Sequence, residues 1–408
     1  MTHLPDIDET AASSGVGDSF SDPADPLAAV PHRDPYPYYR RLIRERPFYF
    51  DSGLKLWVAS SADAVREVLD HPDARVRPLA QPVPPALAGS AAGDLFGRLI
   101  RMNDGAAHAA LKAIVLRRLS ALDLNDVRAR AEALAARLPR MTSDDAHEAT
   151  RWMFSLPVLA VADLLGLPLA DDEAGHVGTR VAGFVATFAG AMSPLATPAE
   201  VEAGVTAARW LTACVVRDAP GVRDDGLLAA LTEDAALARI DPQTLAANAI
   251  GLMIQACEAT AGLIGNTLVR LGREAANTGA MVDMADLPKV VAQVARFDPP
   301  VQNTRRFMAA DATLCGHAVK ANDAVLVLLA AAAHDPAAAT AQPAWTFGAG
   351  RHGCPGHALA QMLATCTVQA LLARDVQPAL LARAVCYRPS VNARIPCFLL
   401  QPSERSPQ

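Results

Sequence analysis

The pattern of apolar and polar positions predicts helices over most of the chain. From Asp123 to Leu237 one helical segment follows another. The breaks between these segments fall at Pro139, Pro168, Pro194 and Pro220. A longer helix is predicted to begin at Asp241-Pro242, because no further proline or uncompensated run of charges precedes Ala276. At about 1.5 Å per residue, this helix is long enough to cross a whole domain.

Short strands are predicted between the helices. Their ranges are 48–51, 55–59, 314–317, 325–329, 386–388 and 395–401. Ser52-Gly53 supplies the turn of the first hairpin, which a helix at 34–44 precedes. Ser61 is the predicted N-cap of a helix that ends at Leu69. The pattern therefore predicts a mainly α protein with small β-sheets.

Composition and charge narrow the organisation of this fold. A length of 408 residues allows two or three domains, yet no stretch between Pro31 and Pro402 resembles a linker. We therefore expect one large domain over 31–408 and a flexible N-terminal tail over 1–30. The composition is 51% hydrophobic, which suits closely packed helices. The net charge of -6 argues against a general polyanion-binding role, such as nucleic-acid binding.

The seven cysteines include no CxxC pair and no regular spacing, so neither a disulfide framework nor a zinc site is expected. A reducing cytoplasm fits this usage. Residues 1–26 are rich in Asp, Ser and Gly and lack both a basic start and an apolar segment, so they predict neither a signal peptide nor a membrane anchor. We expect a soluble cytoplasmic protein.

One cysteine stands out because it ends a glycine-rich loop directly before a predicted helix. Cys354 follows Trp345-Thr-Phe-Gly-Ala-Gly-Arg-His-Gly, and Pro355 suits the first helical position. The helix N-terminus should face the sulfur and favour thiolate over thiol. A thiolate held in this way is a soft axial ligand for iron.

This loop resembles the heme-binding signature of the bacterial cytochromes P-450, Phe-Gly-x-Gly-x-His-x-Cys-x-Gly. The six matching positions are Phe347, Gly348, Gly350, His352, Cys354 and Gly356. The resemblance implies heme b, with Cys354 as the iron ligand, Phe347 beside the sulfur and His352 at a propionate. It also implies a single helical domain that holds the heme between the long central helix and the helix after the cysteine. A buried cysteine in a Gly-rich turn is the ordinary alternative, and six matches outweigh it.

Further residues correspond to propionate contacts in that family. His108 and Lys112 are four residues apart and share one helical face, and the family usually has arginine in place of the lysine. Lysine brings a point charge instead of a bidentate fork, which predicts a looser grip. Arg306 matches a third propionate contact, with Arg305 as the competing assignment.

The middle of the long helix resembles the family's oxygen-activation segment, Ala-Gly-x-Glu-Thr-Thr. Glu258 and Thr260 match, Ala256 replaces the glycine, and Ala259 stands where the family carries a hydroxyl. In the family that hydroxyl helps to deliver protons during oxygen activation. Its absence argues against ordinary hydroxylation and leaves Glu258, with Thr260 as a second candidate, for proton delivery.

A further helix resembles the family's Glu-x-x-Arg helix, with Gln293 in place of the glutamate and Arg296 retained. The connection from Pro336 to Phe347 is short, and the arginine that normally completes the family's ionic network is missing from it. We interpret the two departures as one coupled change. A hydrogen bond from Arg296 to Gln293, without charge assistance, is the expected replacement.

Two regions are expected to bear on substrates and partners. Residues 78–98, which have no clean period, correspond to the family's substrate-contacting cover, and Arg180 to Met192 has the composition of a pliable lid. A surface loop and ordinary core packing are the respective alternatives. Arg117, Arg118 and Arg351 could form a basic patch for an acidic electron donor.

The leading hypothesis is a heme-thiolate monooxygenase or oxidase of secondary metabolism that receives electrons from a separate ferredoxin and acts on a mostly hydrophobic small molecule. Hydroxylation, radical coupling, ring closure and substrate-assisted oxidation all remain open, and so does a carrier-tethered substrate. A peroxide-driven enzyme is the runner-up. A heme sensor is a third hypothesis, although no signalling module is visible in the sequence.

Overall fold

The computed structural model describes residues 21–140, 144–169, 179–215, 221–278, 283–338 and 344–399. Its α-helices are α1 (Tyr36–Glu45), α2 (Ala62–Asp70), α3 (Ala91–Arg98), α4 (Ala106–Ser120), α5 (Leu124–Arg137), α6 (Asp145–Leu165), α7 (Thr179–Ala191), α8 (Pro198–Cys214), α9 (Leu227–Leu237), α10 (Pro242–Thr278), α11 (Leu287–Phe297), α12 (Leu329–Ala333), α13 (His357–Leu372) and α14 (Pro378–Leu381). The strands are β1 (Phe48–Asp51), β2 (Leu56–Ala59), β3 (Ala74–Arg75), β4 (Thr304–Met308), β5 (Ala312–Leu314), β6 (His317–Val319), β7 (Ala324–Val327), β8 (Val385–Tyr387) and β9 (Pro396–Phe398). The predicted class, mainly α with small β-sheets, is confirmed.

Five strands form the largest sheet, in the order β1-β2-β7-β4-β3. Strands β2 and β7 pair in parallel, and the other neighbours are antiparallel. The predicted first hairpin is confirmed, with Phe48 opposite Ala59. Two separate hairpins, β5 with β6 and β8 with β9, complete the β structure of the described residues. Strand β4 lies inside the large sheet, so its side chains are held at fixed positions.

Helix α10 is the long helix that the sequence predicts, and it runs through the core against α6, α7, α13 and α14. It is long and apolar enough to span a membrane by length and composition. However, 72% of its most apolar window is buried inside the structure. Its apolar character is therefore explained by packing against the other helices.

Several predicted boundaries are wrong. Residues 91–98, expected within an irregular loop, form α3, and the Ser90 side chain accepts a hydrogen bond from the N–H of Gly93. The predicted strand 314–317 spans the turn between β5 and β6, with Leu314 and His317 paired at its two ends. Helix α13 begins at His357, so Pro355 lies just outside it. Local propensity does not fix such boundaries, because tertiary contacts select among nearby start points.

The boundary of the predicted tail also needs correction. Residues 1–20 lie outside the described part of the chain, but Ala29 and Val30 are fully buried. The buried guanidinium of Arg394 donates to the carbonyl oxygens of Val30 and Arg33 and pairs with Asp298 at 3.0 Å. The packed domain therefore starts before the predicted residue 31.

Candidate functional site

The loop before α13 is shaped by its glycines and by one backbone hydrogen bond. Gly348 and Gly350 have φ angles of 68° and 59°, which other residues rarely adopt. A Cβ atom on Gly350 would lie 2.8 Å from Oδ1 of Asp70, so this position also needs the missing side chain. The N–H of Cys354 donates to the carbonyl oxygen of Phe347 at 2.7 Å. This bond closes the loop and presents Cys354 at its end.

Burial dominates the acidity of this cysteine. It raises the pKa of the Cys354 thiol above the ordinary value, while the N–H of Gly356 and the ammonium of Lys112 act in the opposite direction. The N–H of Gly356 at the helix terminus does favour the thiolate, as the sequence predicts, but desolvation outweighs this effect. A metal cation on the sulfur would supply the missing positive charge, since coordination deprotonates a thiol.

Lys112 holds the cysteine loop from α4. Its ammonium donates to the carbonyl oxygens of Arg351 and Gly353, the latter at 2.6 Å. In this structure the charge of Lys112 is turned toward the loop backbone, and its contact with a propionate stays a prediction. The ammonium is a compact charge with three donors, and two of them satisfy these carbonyls. Lys112 is therefore a positioning residue for Cys354.

His108 and His352 come together as the sequence predicts. Their ring centroids are 4.4 Å apart, and His108 is buried in α4. Burial and the neighbouring cations lower the pKa of His108 to about 4, and burial lowers the pKa of His352 as well. Both rings are consequently neutral near pH 7, so each has one N–H to donate. His108 can give its N–H to a bound anion, whereas His352 directs its own at the carboxylate of Asp104.

Asp104 is a member of this cluster that the sequence did not single out. Its Oδ1 lies 2.9 Å from Nε2 of His352, and its other oxygen accepts the N–H of Val76 at 3.0 Å. These bonds, together with Arg351, hold the pKa of Asp104 at about 2 despite partial burial. The contact with His352 spans 248 positions, so no local sequence signal could have shown it.

Arg306 faces the same cluster from β4. The side chain is buried, and its Nε has no hydrogen-bond partner. The charges of Asp104 and Arg351 act on its guanidinium. Burial lowers its pKa to about 10, so it remains a cation at neutral pH. Arg305 points to the other face of the strand, as alternation along a strand requires. A buried guanidinium with an unsatisfied donor is costly unless an anion completes it. The residues therefore fit the propionates of a heme.

Heme retention should distinguish the two arginines. We expect Arg306→Leu to lose heme to apomyoglobin about tenfold faster than the unchanged protein, because one charge-assisted contact is worth on the order of 1.5–3 kcal/mol. Arg305→Leu is the matched control and should lose heme at the original rate. Faster loss in Arg305→Leu alone would assign the contact to Arg305 instead.

One stripe of α10 keeps solvent access within an otherwise buried stretch. Its members, spaced along one helical face, are Leu252, Gln255, Glu258 and Ala259. Thr260 is 1% exposed and lies off this stripe in the core. The structure therefore places Glu258 and Ala259 on an accessible wall and gives no such position to Thr260.

The segment from Ile100 to His108 joins this wall to the cysteine loop. The N–H of Ile100 donates to Oδ1 of Asn248 on α10 at 2.7 Å. Four residues on, Asp104 bonds to His352 of the cysteine loop. The candidate site thus consists of Cys354 in its loop, an anion-binding cluster and the accessible face of α10.

The expected Gln293–Arg296 hydrogen bond does not form. Gln293 is exposed, and Arg296 donates to the carbonyl oxygen of Ala338 at 3.2 Å instead. Helix α11 presents Gln293 to solvent. The glutamine therefore occupies the sequence position of the family's glutamate but does not form a hydrogen bond with Arg296. Arg296 keeps a structural contact with the connection that leads to the cysteine loop; residues 339–343 of that connection lie outside the described part.

The expected basic patch is also smaller than predicted. Arg117 and Arg118 both pair with Asp234, at 2.7 and 2.6 Å. Arg351 turns inward and donates to the carbonyl oxygens of His71 and Ala74. Of the three arginines, Arg117 keeps the most exposed side chain, at 62%.

Comparisons with known proteins find relatives that cover most of the chain. No family model matches the chain. Among curated proteins, the chain is 26% identical over 374 residues to the cytochrome P450 monooxygenase PikC of Streptomyces venezuelae. That alignment covers 85% of this chain and 86% of PikC.

Solved structures show the same fold. CalO2 matches with a TM-score of 0.70 at 22% identity, covering 92% of this chain and 98% of CalO2. P450BioI, in complex with an acyl carrier protein ligated to hexadec-9Z-enoic acid, matches with a TM-score of 0.69 at 19% identity. That match covers 89% of this chain and 97% of P450BioI.

Proposed function

Because this chain belongs to the cytochrome P450 family, whose members are oxidoreductases that carry heme b, we propose that it oxidises a mostly hydrophobic small molecule in secondary metabolism. The observation that carries this proposal is the position of Cys354 in a glycine-shaped loop whose His352 lies near the buried Arg306. One group supplies a soft metal ligand, and the other requires an anion.

In this proposal each residue has a defined task. Cys354 would hold the heme iron, and Arg306 and His108 would bind the propionates, with His352 packed against the His108 ring. Lys112 fixes the carbonyls next to Cys354, and Asp104 orients His352 through the bond to Nε2. Bound in this way, heme supplies the oxidising chemistry, which the thiolate ligand promotes.

Proton supply is assigned to the accessible face of α10. Glu258 lies on this face and has no hydrogen bond or ion pair within the described residues, so its carboxyl group is free to relay a proton through water. Ala259 brings a methyl group to the same face. Thr260 is buried, so this proposal gives it no part in proton supply. Because Ala259 lacks the hydroxyl that the family uses in hydroxylation, this face of α10 fits a reaction whose protons come from Glu258 or from the substrate.

The electrons are proposed to come from a separate ferredoxin in the cytoplasm. Arg117 and Arg118 both pair with Asp234, and Glu233 also acts on Arg118, so the exposed guanidinium of Arg117 is the contact proposed for an acidic donor. A carrier-tethered substrate belongs to the same proposal, because P450BioI was solved with an acyl carrier protein and shares this fold. Peroxide is the alternative oxidant, which the methyl group of Ala259 favours.

Labelled oxygen tests this function. The heme-loaded protein is incubated with a panel of apolar compounds under ¹⁸O₂, with a plant-type ferredoxin and its reductase, and in parallel with hydrogen peroxide. We expect an oxidised product in the ferredoxin arm that is absent when ferredoxin is omitted. Product in the peroxide arm alone would assign the alternative. Oxidised product in neither arm, from protein that holds its heme, would contradict the enzymatic function and favour a sensor.

A further inference from the structure

A second charged group borders the accessible face of α10. Arg101 lies in the 3-10 turn Ile100–Met102, and its guanidinium reaches Sδ of Met192 at 3.8 Å, just beyond the end of α7. Glu258 is the charged group that acts on Arg101 among the described residues, and no carboxylate there lies within ion-pair distance of it.

The turn that carries Arg101 is fixed on both sides. Before it, Asn248 of α10 accepts the N–H of Ile100 at 2.7 Å and donates to the carbonyl oxygen of Arg98 at 2.8 Å. After it, Asn103 donates to the carbonyl oxygen of Leu99 at 2.7 Å. With the backbone on either side held by these bonds, the direction of the Arg101 side chain is set by the fold.

The register along α10 places Arg101 next to the accessible wall. Leu99 packs against Gly251, where a Cβ atom would lie 3.0 Å from the leucine methyl. Two helical turns beyond Gly251, on the same face, is Glu258. Arg101 therefore lies between the end of α7 and the part of α10 that carries Glu258, and it borders the same space.

Two further observations indicate that the Arg101 side chain lines a space inside the protein. It retains solvent access, yet the surrounding protein is dense enough that burial lowers its pKa, an effect that Glu258 opposes. The side chain that its guanidinium contacts, Met192, is apolar. A guanidinium here gains little from a thioether sulfur, which is a weak acceptor, and a carboxylate would satisfy its donors far better.

Arg101 also stands apart from the propionate-binding cluster. The cations that act on His352 and Asp104 are Lys112, Arg306 and Arg351, and Arg101 is not among them. The charge that acts on Arg101 is that of Glu258, and no member of the propionate-binding cluster acts on it. Its charge is thus available to a molecule other than heme.

We propose that Arg101 is a specificity-determining residue that binds a carboxylate of the substrate, so that the protein selects apolar organic acids over their neutral analogues. This inference rests on the proposed function, since it concerns the substrate of the same site. The carboxylate lies on the side of α7 and Arg101, held away from Glu258 by like-charge repulsion. The apolar remainder of the acid then extends along the accessible face of α10.

Calorimetric titration of the heme-loaded protein tests the proposal. The probes are dodecanoic acid and 4-phenylbutanoic acid, each compared with its methyl ester at pH 7.4. For at least one pair we expect the acid to bind on the order of 10- to 100-fold more tightly than the ester, as one charge-assisted contact predicts. Arg101→Met should abolish that preference while leaving ester affinity within twofold. Arg101→Lys should keep part of it.

The control is Arg44→Met, which removes the same charge from an exposed position of α1. It should leave the preference unchanged. Equal affinity for acid and ester in every pair, or a preference that survives in Arg101→Met, would overturn the proposal. Faster heme loss in Arg101→Met would overturn it as well, because it would show that Arg101 binds a propionate. In each case, a retained heme spectrum and continued oxidation of neutral compounds would leave the proposed function standing.

Discussion

Replacement of Glu258 by glutamine is expected to slow turnover by about 100-fold, the lower end of what a positioned acid or base contributes. The reason is structural. Glu258 is the ionisable member of the accessible stripe of α10, and the neighbouring methyl group of Ala259 cannot hold or orient a proton. A glutamine has the same shape and can hydrogen-bond to water, but it cannot release a proton at neutral pH. The check is the steady-state rate under saturating reductant and substrate.

Two matched variants separate proton supply from packing. Thr260→Val keeps the shape of a fully packed side chain in the core and should leave turnover within about twofold, since Thr260 lies off the accessible stripe. Ala259→Thr should leave the product formed per electron unchanged or lower. A large gain in coupling for Ala259→Thr would contradict this assignment, because the protein would then be an impaired ordinary monooxygenase. Normal turnover in Glu258→Gln would remove Glu258 from the mechanism.

The sequence predicts the parts of the fold that depend on local chemistry. Proline spacing and apolar periodicity predict α10, and the cap at Ser61 predicts α2. The predicted strand 314–317 is misplaced, because a short apolar run does not show which of its residues pair and which turn. The same is true of α3, where Ser90 supplies a cap that the proline-rich surroundings conceal.

The site divides along similar lines. The cysteine loop and His108 could be identified from the sequence, because the residues of each motif lie at fixed, short spacings along the chain. The roles of Lys112, Asp104 and Arg101 could not, because each role depends on a partner far away in the sequence. Lys112 binds a loop 239 positions later, and Asp104 binds His352. For Gln293, the substitution was visible in the sequence, but the exposure of its side chain was not.

Loss of the sulfur of Cys354 is expected to have the largest effect of all. Cys354→Ala removes the ligand that the loop presents, so it should abolish oxidation and leave the protein poor in heme. Cys354→His offers a nitrogen ligand in the same loop and should restore part of the heme content without the properties of thiolate ligation. Cys386→Ala is the matched control, because Cys386 is an exposed free cysteine on β8, and it should behave like the unchanged protein.

The absorption spectrum of the reduced carbon monoxide complex tests whether Cys354 holds the heme iron, because the position of its Soret band depends on the protein ligand of the iron. We expect the red-shifted band of thiolate ligation in the unchanged protein and in Cys386→Ala. We expect that band to be lost in Cys354→Ala and in Cys354→His. A red-shifted band that survives in Cys354→His would show that another residue holds the iron, and it would contradict the assignment of the site.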